Sequence, residues 1–212
     1  YYPGYYENAY DTDKSMQNFN FSLGYGKRLS WPDDSFHFMA TLNYQIYKMK
    51  NWDYYMSFIN NGMSHNINLE LSLQRSSTDN PIFPRQGSEF LLSVSLTPPY
   101  SLFDGKDYES MDGNAPGKFR FIEYHKWKFR SKMYMSLGSP GMKKVPVLMT
   151  RVEYGLLGSY NKHKKSPFET YYVGGDMSSG GSYSYGVESI PMRGYASGSL
   201  GTNAYAYTKV GL

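Results

Sequence analysis

Four cations stand at alternate positions late in the chain: Lys126, Lys128, Arg130 and Lys132. In an extended backbone a spacing of two puts them all on one face, where they either meet bulk water or line a wet interior. A fifth cation, Arg193, lies in Met192-Arg193-Gly194-Tyr195, between a bulky residue, a glycine and an aromatic. A guanidinium presents five donors in a rigid fork that suits a carboxylate. Gly194 permits a positive φ or tight backbone packing. Bond-making chemistry has no comparable signal. The histidines His37, His65, His125 and His163 lack the spacing of metal ligands, so no metal is expected. There is no nucleophile elbow, phosphate loop or triad order, and no recognisable acid–base carboxylate pair. The residues point to a protein that is not an enzyme and needs no cofactor.

The arginine belongs to a glycine- and serine-rich stretch, Tyr171 to Leu200, with a clean period of neither two nor 3.6. It reads as a long loop, and loops of that length in a compact protein are usually functional or disordered. The elements around it read as strands. With 212 residues the chain is long enough for one large all-β unit. It carries 23 Tyr, 12 Phe and 3 Trp, residues favoured in strands and at membrane interfaces. The mean hydropathy of −0.59 excludes a helical membrane protein, and no run approaches the roughly 18 apolar residues of a spanning helix. Cysteine is absent, which removes disulfides and thiolate metal sites. A net charge of +4 does not demand nucleic acid; it fits an anionic lipid or lipopolysaccharide surface. The first residues, Tyr1-Tyr2-Pro3, resemble no natural start or leader, so the expectation is a chain that begins inside a longer protein.

Alternation starts at Phe19, with Phe19, Phe21, Leu23 and Tyr25 apolar and the intervening residues small or polar. A second strand is predicted over about 35–48, with Phe36, Phe38, Ala40, Leu42, Tyr44 and Ile46 on one face. The third covers 66–75 and alternates Ile67, Leu69, Leu71 and Leu73 with Asn66, Asn68, Glu70, Ser72 and Gln74. The fourth carries Phe90, Leu92, Val94 and Leu96. A fifth over about 119–137 sets Trp127, Phe129, Met133, Met135 and Leu137 against the four cations. A sixth spans 148–156, and a seventh begins at Ala204.

The connections alternate between short and long. Up-and-down membrane barrels share this pattern, with short periplasmic turns and long outer loops. The strands are also longer than the usual 5 to 6 residues. A soluble sandwich needs neither feature. The reading is an all-β, transmembrane, antiparallel up-and-down barrel, incomplete with its odd number of strands, because an open edge in lipid leaves backbone groups unpaired.

Three stretches, in order, resemble the barrel domain of the outer-membrane barrel assembly factors, the BamA-like family. Phe83-Pro84-Arg85-Gln86-Gly87-Ser88 is similar to the family's turn motif before a strand. Pro167-Phe168-Glu169-Thr170-Tyr171-Tyr172-Val173-Gly174-Gly175 is similar to the lead-in to its sixth extracellular loop. Met192-Arg193-Gly194-Tyr195 is similar to that loop's valine-arginine-glycine-phenylalanine signature, with Met192 in place of valine. The resemblance implies a barrel of about sixteen strands, of which residues 1–212 hold about seven, preceded by periplasmic domains. It implies that segment 171–200 folds into the lumen and sets Arg193 against an acidic wall residue, on a strand outside the chain or at Glu153 or Glu70. It further implies a nucleotide-free insertase in the outer membrane of a Gram-negative cell. The implied partners are unfolded β-barrel precursors, accessory assembly lipoproteins, and outer-membrane lipid and lipopolysaccharide, with no nucleic acid. Two alternatives stay open: a passive transport or secretion barrel of the same superfamily, and a soluble β-rich surface binding module.

Overall fold

The structure, a computed structural model, describes residues 14–51, 61–111, 115, 117–138, 145–175, 187–196 and 200–211. Six long strands follow in chain order: β1 (Ser15–Arg28), β2 (Phe36–Lys50), β3 (Gly62–Ser76), β4 (Gly87–Leu96), β5 (His125–Ser136) and β6 (Val147–Gly158). Four shorter ones follow: β7 (Thr170–Val173), β8 (Val187–Ile190), β9 (Gly201–Ala204) and β10 (Ala206–Gly211). Strands β1 to β6 pair antiparallel in sequence order, and β10 adds to β6, giving one seven-stranded sheet. No helix among the described residues is long and apolar enough to cross a membrane.

Register makes the two faces chemically distinct. Leu42 lies opposite Leu23 and Leu69, Leu73 opposite Leu92, and Leu92 opposite Phe129, all on the face we call outer. The other face pairs Ser22 with Asn43, Asn43 with Asn68, Ser93 with Lys128, and Arg130 with Glu153. Burial is inverted relative to a soluble protein. Phe21 is 69% exposed, while Asn66 and Glu153 are 0% and 2% exposed. The inner polar groups satisfy one another: Ser22 Oγ donates to Asn43 Oδ1 at 2.6 Å, and Asn43 Nδ2 to Asn68 Oδ1 at 3.0 Å. An apolar face left uncovered and a polar face cross-linked by hydrogen bonds suit lipid outside and a wet lumen inside. A sandwich would bury the apolar face between two sheets, and here the large sheet leaves it bare.

The consequence is measurable at mid-strand. Leu42, near the centre of β2, faces outward. Leu42→Arg should destabilise the folded barrel by about 2–4 kcal/mol in a bilayer. Asn43→Arg, one residue away on the inner face, should cost far less. Denaturant titration in lipid vesicles checks the contrast, and equal losses at both positions would reverse the assignment of faces.

Strand β5 begins at His125, whereas alternation predicts a start near 119. Phe119, Ile122, Glu123 and Tyr124 are all buried instead, because this stretch leaves the ladder and folds over the sheet end. His65 N–H donates to Arg120 O at 2.7 Å, and Ile122 N–H to His65 O at 2.9 Å. The glycine-rich stretch also departs from a pure loop. Strand β7 pairs parallel with β8 and antiparallel with β9, forming a second, three-stranded sheet. The core lies between that sheet and the inner wall: Tyr47, Met49, Ile122, Tyr124, Leu157, Phe168, Tyr171 and Ile190.

Candidate functional site

The β6–β10 connection supplies the site, and the inner wall holds it. Phe168, wholly buried, stacks on Tyr47 at 4.5 Å between ring centroids. Tyr171 meets Tyr207 of β10 edge-on at 4.9 Å. Gly155 on β6 makes room for both rings. A Cβ there would lie 2.2 Å from Tyr207 Cε1 and 3.0 Å from Tyr171 Cζ.

The four alternating cations reach this seam and its neighbourhood, and each carries a carboxylate. Lys126 Nζ donates to Glu169 Oε2 at 2.9 Å and lies 3.4 Å from Glu188 Oε2. Lys128 pairs with the same Glu188. Thus two wall lysines grip two acids of the small sheet, one just before β7 and one on β8. Arg130 and Lys132 are paired within the wall, Arg130 Nε with Glu153 Oε1 at 2.6 Å and Lys132 Nζ with Glu89 Oε2 at 2.8 Å. Arg151 also holds Glu153, through Nε at 2.9 Å and through Nη2. Lys209, opposite Glu153 in the β6–β10 register, donates to Pro191 O at 2.6 Å and so ties β10 to the chain leaving β8.

The two segments singled out around the glycine stretch meet directly. Gly174 N–H donates to Ile190 O at 3.0 Å, Gly175 N–H to Tyr195 O at 3.0 Å, and Met192 N–H to Gly175 O at 2.8 Å. Gly174 and Gly175 take φ of 117° and 86°. Tyr172, next to them, is half-buried on β7. Met192 to Tyr195 is a tight turn, with Tyr195 N–H donating back to Met192 O at 3.4 Å and Gly194 at φ 83°. That φ is what the third position of a type II turn requires. Open space surrounds a Cβ at Gly194, so backbone conformation, not crowding, calls for glycine.

Arg193 is exposed at the tip of this turn, and Tyr195 is 52% exposed. No carboxylate stands within ion-pair distance of Arg193 among the described residues. The two acids considered for it within the chain are engaged elsewhere. Glu153 is taken by Arg130 and Arg151, and Glu70 Oε1 accepts from Ser93 Oγ at 3.1 Å.

The remaining motif sits at the opposite sheet end, in the β3–β4 turn. Gly87 has φ of 108°, and a Cβ there would lie 2.2 Å from Ser77 O, so no other residue fits without moving the backbone. Arg85 N–H donates to Asp79 Oδ1 at 2.8 Å. That bond, with the one from Gln86 N–H, lowers the Asp79 carboxyl below its ordinary value. Ser88 Oγ accepts from Arg75 Nη1 at 2.8 Å, while Arg75 Nε reaches Asp33 Oδ2 at 2.8 Å. Pro84 is half-buried beside Arg85. The motif therefore braces two neighbouring short turns and lies far along the strands from the small sheet.

Sequence reasoning placed the cation row on one face but missed its acids, Glu169, Glu188 and Glu89. Glu169 had a signal: a lone acid in the apolar run Pro167-Phe168-Glu169-Thr170-Tyr171-Tyr172, a charge that needs a partner once its neighbours are buried. No group of His, Cys, Asp or Glu able to hold a metal occurs among the described residues.

Residues 3–211 match the Omp85 superfamily domain. No curated protein matches the sequence. Among solved structures, the chain is similar in fold to BamA from Haemophilus ducreyi lacking POTRA domains 1–3, with a TM-score of 0.57 and 21% identity. That likeness covers 88% of this chain and 31% of the other, so the chain spans about a third of the structure it resembles.

Proposed function

Because the chain belongs to the Omp85 superfamily, we propose that it is barrel wall from an outer-membrane insertase, one that folds β-barrel precursors into the outer membrane of a Gram-negative cell. The observation that supports this reading most is the seating of the β6–β10 connection on the inner wall, by Lys126 and Lys128 on Glu169 and Glu188. An insertase gains a wall of fixed shape against which precursor strands pair, and strand pairing with burial in lipid supplies the driving force. The protein works without nucleotide, as a scaffold rather than an enzyme. Its partners are unfolded β-barrel precursors, with accessory lipoproteins on the periplasmic side.

Arg193 is the contact point of the seated connection with the rest of the barrel, its acid lying on wall outside this chain. Full-length protein in lipid vesicles, given an unfolded barrel client, tests both statements. Wild type should convert the client to its heat-modifiable folded form, and Arg193→Ala should slow that conversion severalfold. Solute flux without client folding would favour a passive barrel. An unchanged rate and unchanged heat-modifiability in Arg193→Ala would remove the arginine from the mechanism.

A further inference from the structure

At the long-connection end of the sheet, four rings run in series from the outer face. Tyr44 and His65 lie on that face by register, opposite Ile67 and Ile46. They stack at 6.1 Å, with the Tyr44 hydroxyl 3.0 Å from His65 Nδ1. Phe121, bridged to His65 through the backbone, lies 5.5 Å from its ring, and Tyr100 lies 4.9 Å from Phe121. Beyond Tyr100 opens a cavity of about 290 Å³, lined by Phe103, Asp104, Lys106 and Arg120 together with the last two rings.

Its back wall is built rather than incidental. Lys164, 3% exposed, donates to the Tyr108 hydroxyl at 3.2 Å and stands 3.5 Å from Glu123 Oε2. Tyr108 in turn donates to Asp104. Burial pushes the Lys164 ammonium down from its ordinary value, while Glu123 and Asp104 oppose the shift. These bonds join the β4–β5 connection to the β6–β10 connection and fix the cavity's shape.

The front is different. Among the described residues neither Lys106 nor Arg120 has a carboxylate within ion-pair distance, and Lys48 is exposed on the outer face at the same end. Leu102 and Phe103 project beside them, 67% and 82% exposed. The patch thus combines cations without a carboxylate partner among the described residues, Arg120 lying over the Phe121 ring at 5.8 Å, with ring faces and apolar side chains at the boundary between an uncovered apolar wall and the polar connections. A guanidinium matches phosphate oxygens two at a time. Ring faces accept the apolar C–H face of a sugar, and exposed apolar groups at this height meet acyl chains.

We propose that this recess binds the phosphorylated sugar headgroup of a glycolipid in the leaflet around the barrel, phosphate on Arg120 and Lys106 and sugar against Tyr100 and Phe103. The proposal rests on the outer-membrane reading above, because it needs the long connections to face a glycolipid leaflet. Its test is independent of client folding. Full-length protein is reconstituted in phosphatidylethanolamine vesicles containing either diphosphorylated lipid A or phosphatidylglycerol at matched charge, then extracted and assayed for retained lipid. Wild type should retain lipid A selectively. The double variant Arg120→Ala, Lys106→Ala should retain about tenfold less, as expected for losing charge-assisted bonds. Phe103→Ala, an exposed change that spares folding, should lower lipid A retention and leave phosphatidylglycerol unaffected. Equal retention of both lipids by wild type, or undiminished lipid A in a folded double variant, would overturn the site. A protein that inserts clients yet retains no lipid A refutes this proposal alone; one that retains lipid A yet inserts nothing refutes only the insertase reading.

Discussion

Glu153→Gln should cost about 3 kcal/mol of barrel stability and should be the most damaging single change of charge in the wall. The carboxylate is 2% exposed and neutralises Arg130 and Arg151 at once, with Lys209 across the ladder. Removing one partner of a buried pair costs about 3–5 kcal/mol, because the other charge stays buried without compensation. The lower end applies here, since the Arg130 and Arg151 side chains keep 46% and 29% of their exposure and water screens them in part. Glutamine keeps the size and one acceptor, so the loss reports charge rather than shape. Lys132→Gln is the contrast. Its pair with Glu89 is half-exposed on both sides, 27% and 36%, with neither charge buried, so its worth lies near the roughly 0–1 kcal/mol of surface pairs, about 1 kcal/mol. Urea midpoints of both variants in vesicles check the ranking; a Glu153→Gln midpoint no lower than that of Lys132→Gln would refute it.

Gly155→Val should release the small sheet from the wall while leaving the large sheet paired. The added Cβ would fall 2.2 Å from one ring of an edge-on pair and 3.0 Å from the other. Tyr171 is wholly buried and cannot swing away. Overpacking of this kind costs about 1–3 kcal/mol or more, concentrated on the contact between β7 and β10. Gly24→Ala is the control, because a Cβ on that inner-face glycine meets Thr41 at an ordinary 3.5 Å. Proteolysis of folded protein should cut the β6–β10 connection in Gly155→Val and spare it in Gly24→Ala. Equal protection in both would mean that the ring pair does not dock the connection.

The large sheet was legible because a period of two is a local signal. Ile67, Leu69, Leu71 and Leu73 declare a face without reference to any other strand, and the structure aligns them with Leu42 and Leu92 as that pattern requires. The cation row was legible for the same reason. Its meaning was not, because Glu169 and Glu188 lie 43 and 62 positions beyond Lys126 and no spacing rule links them. Strands β7 and β8 are four residues each, too short for alternation to rise above a background of Gly, Ser and Tyr. Their parallel pairing is stabilised by the wall beneath them, a tertiary cause invisible to a local window. The stretch 119–124 misled for the opposite reason. Phe119, Arg120 and Phe121 open an apolar–polar rhythm, but Ile122 and Glu123 invert its phase, and both are buried and cap the sheet end instead of extending it. Arg193 was visible from its neighbours, and the turn that carries it follows from Gly194. Among the described residues no carboxylate stands within ion-pair distance of it.

Two lysines, Lys126 and Lys128, hold the small sheet against the inner wall. A water-soluble carbodiimide joins an amine to a carboxylate only where the two touch, so it reads these contacts in the native full-length protein without substitution. Applied to outer-membrane vesicles and followed by peptide mass spectrometry, it should link Lys126 to Glu169 and Lys128 to Glu188. Lys132 and Glu89, on the paired strands β5 and β4, serve as the internal standard. Links at both seams would establish that the β6–β10 connection is latched in the lumen. Linkage of Lys132 to Glu89 with Glu169 and Glu188 left unmodified by lysine would show a wall without its latch and would contradict the docking of the small sheet by Lys126 and Lys128.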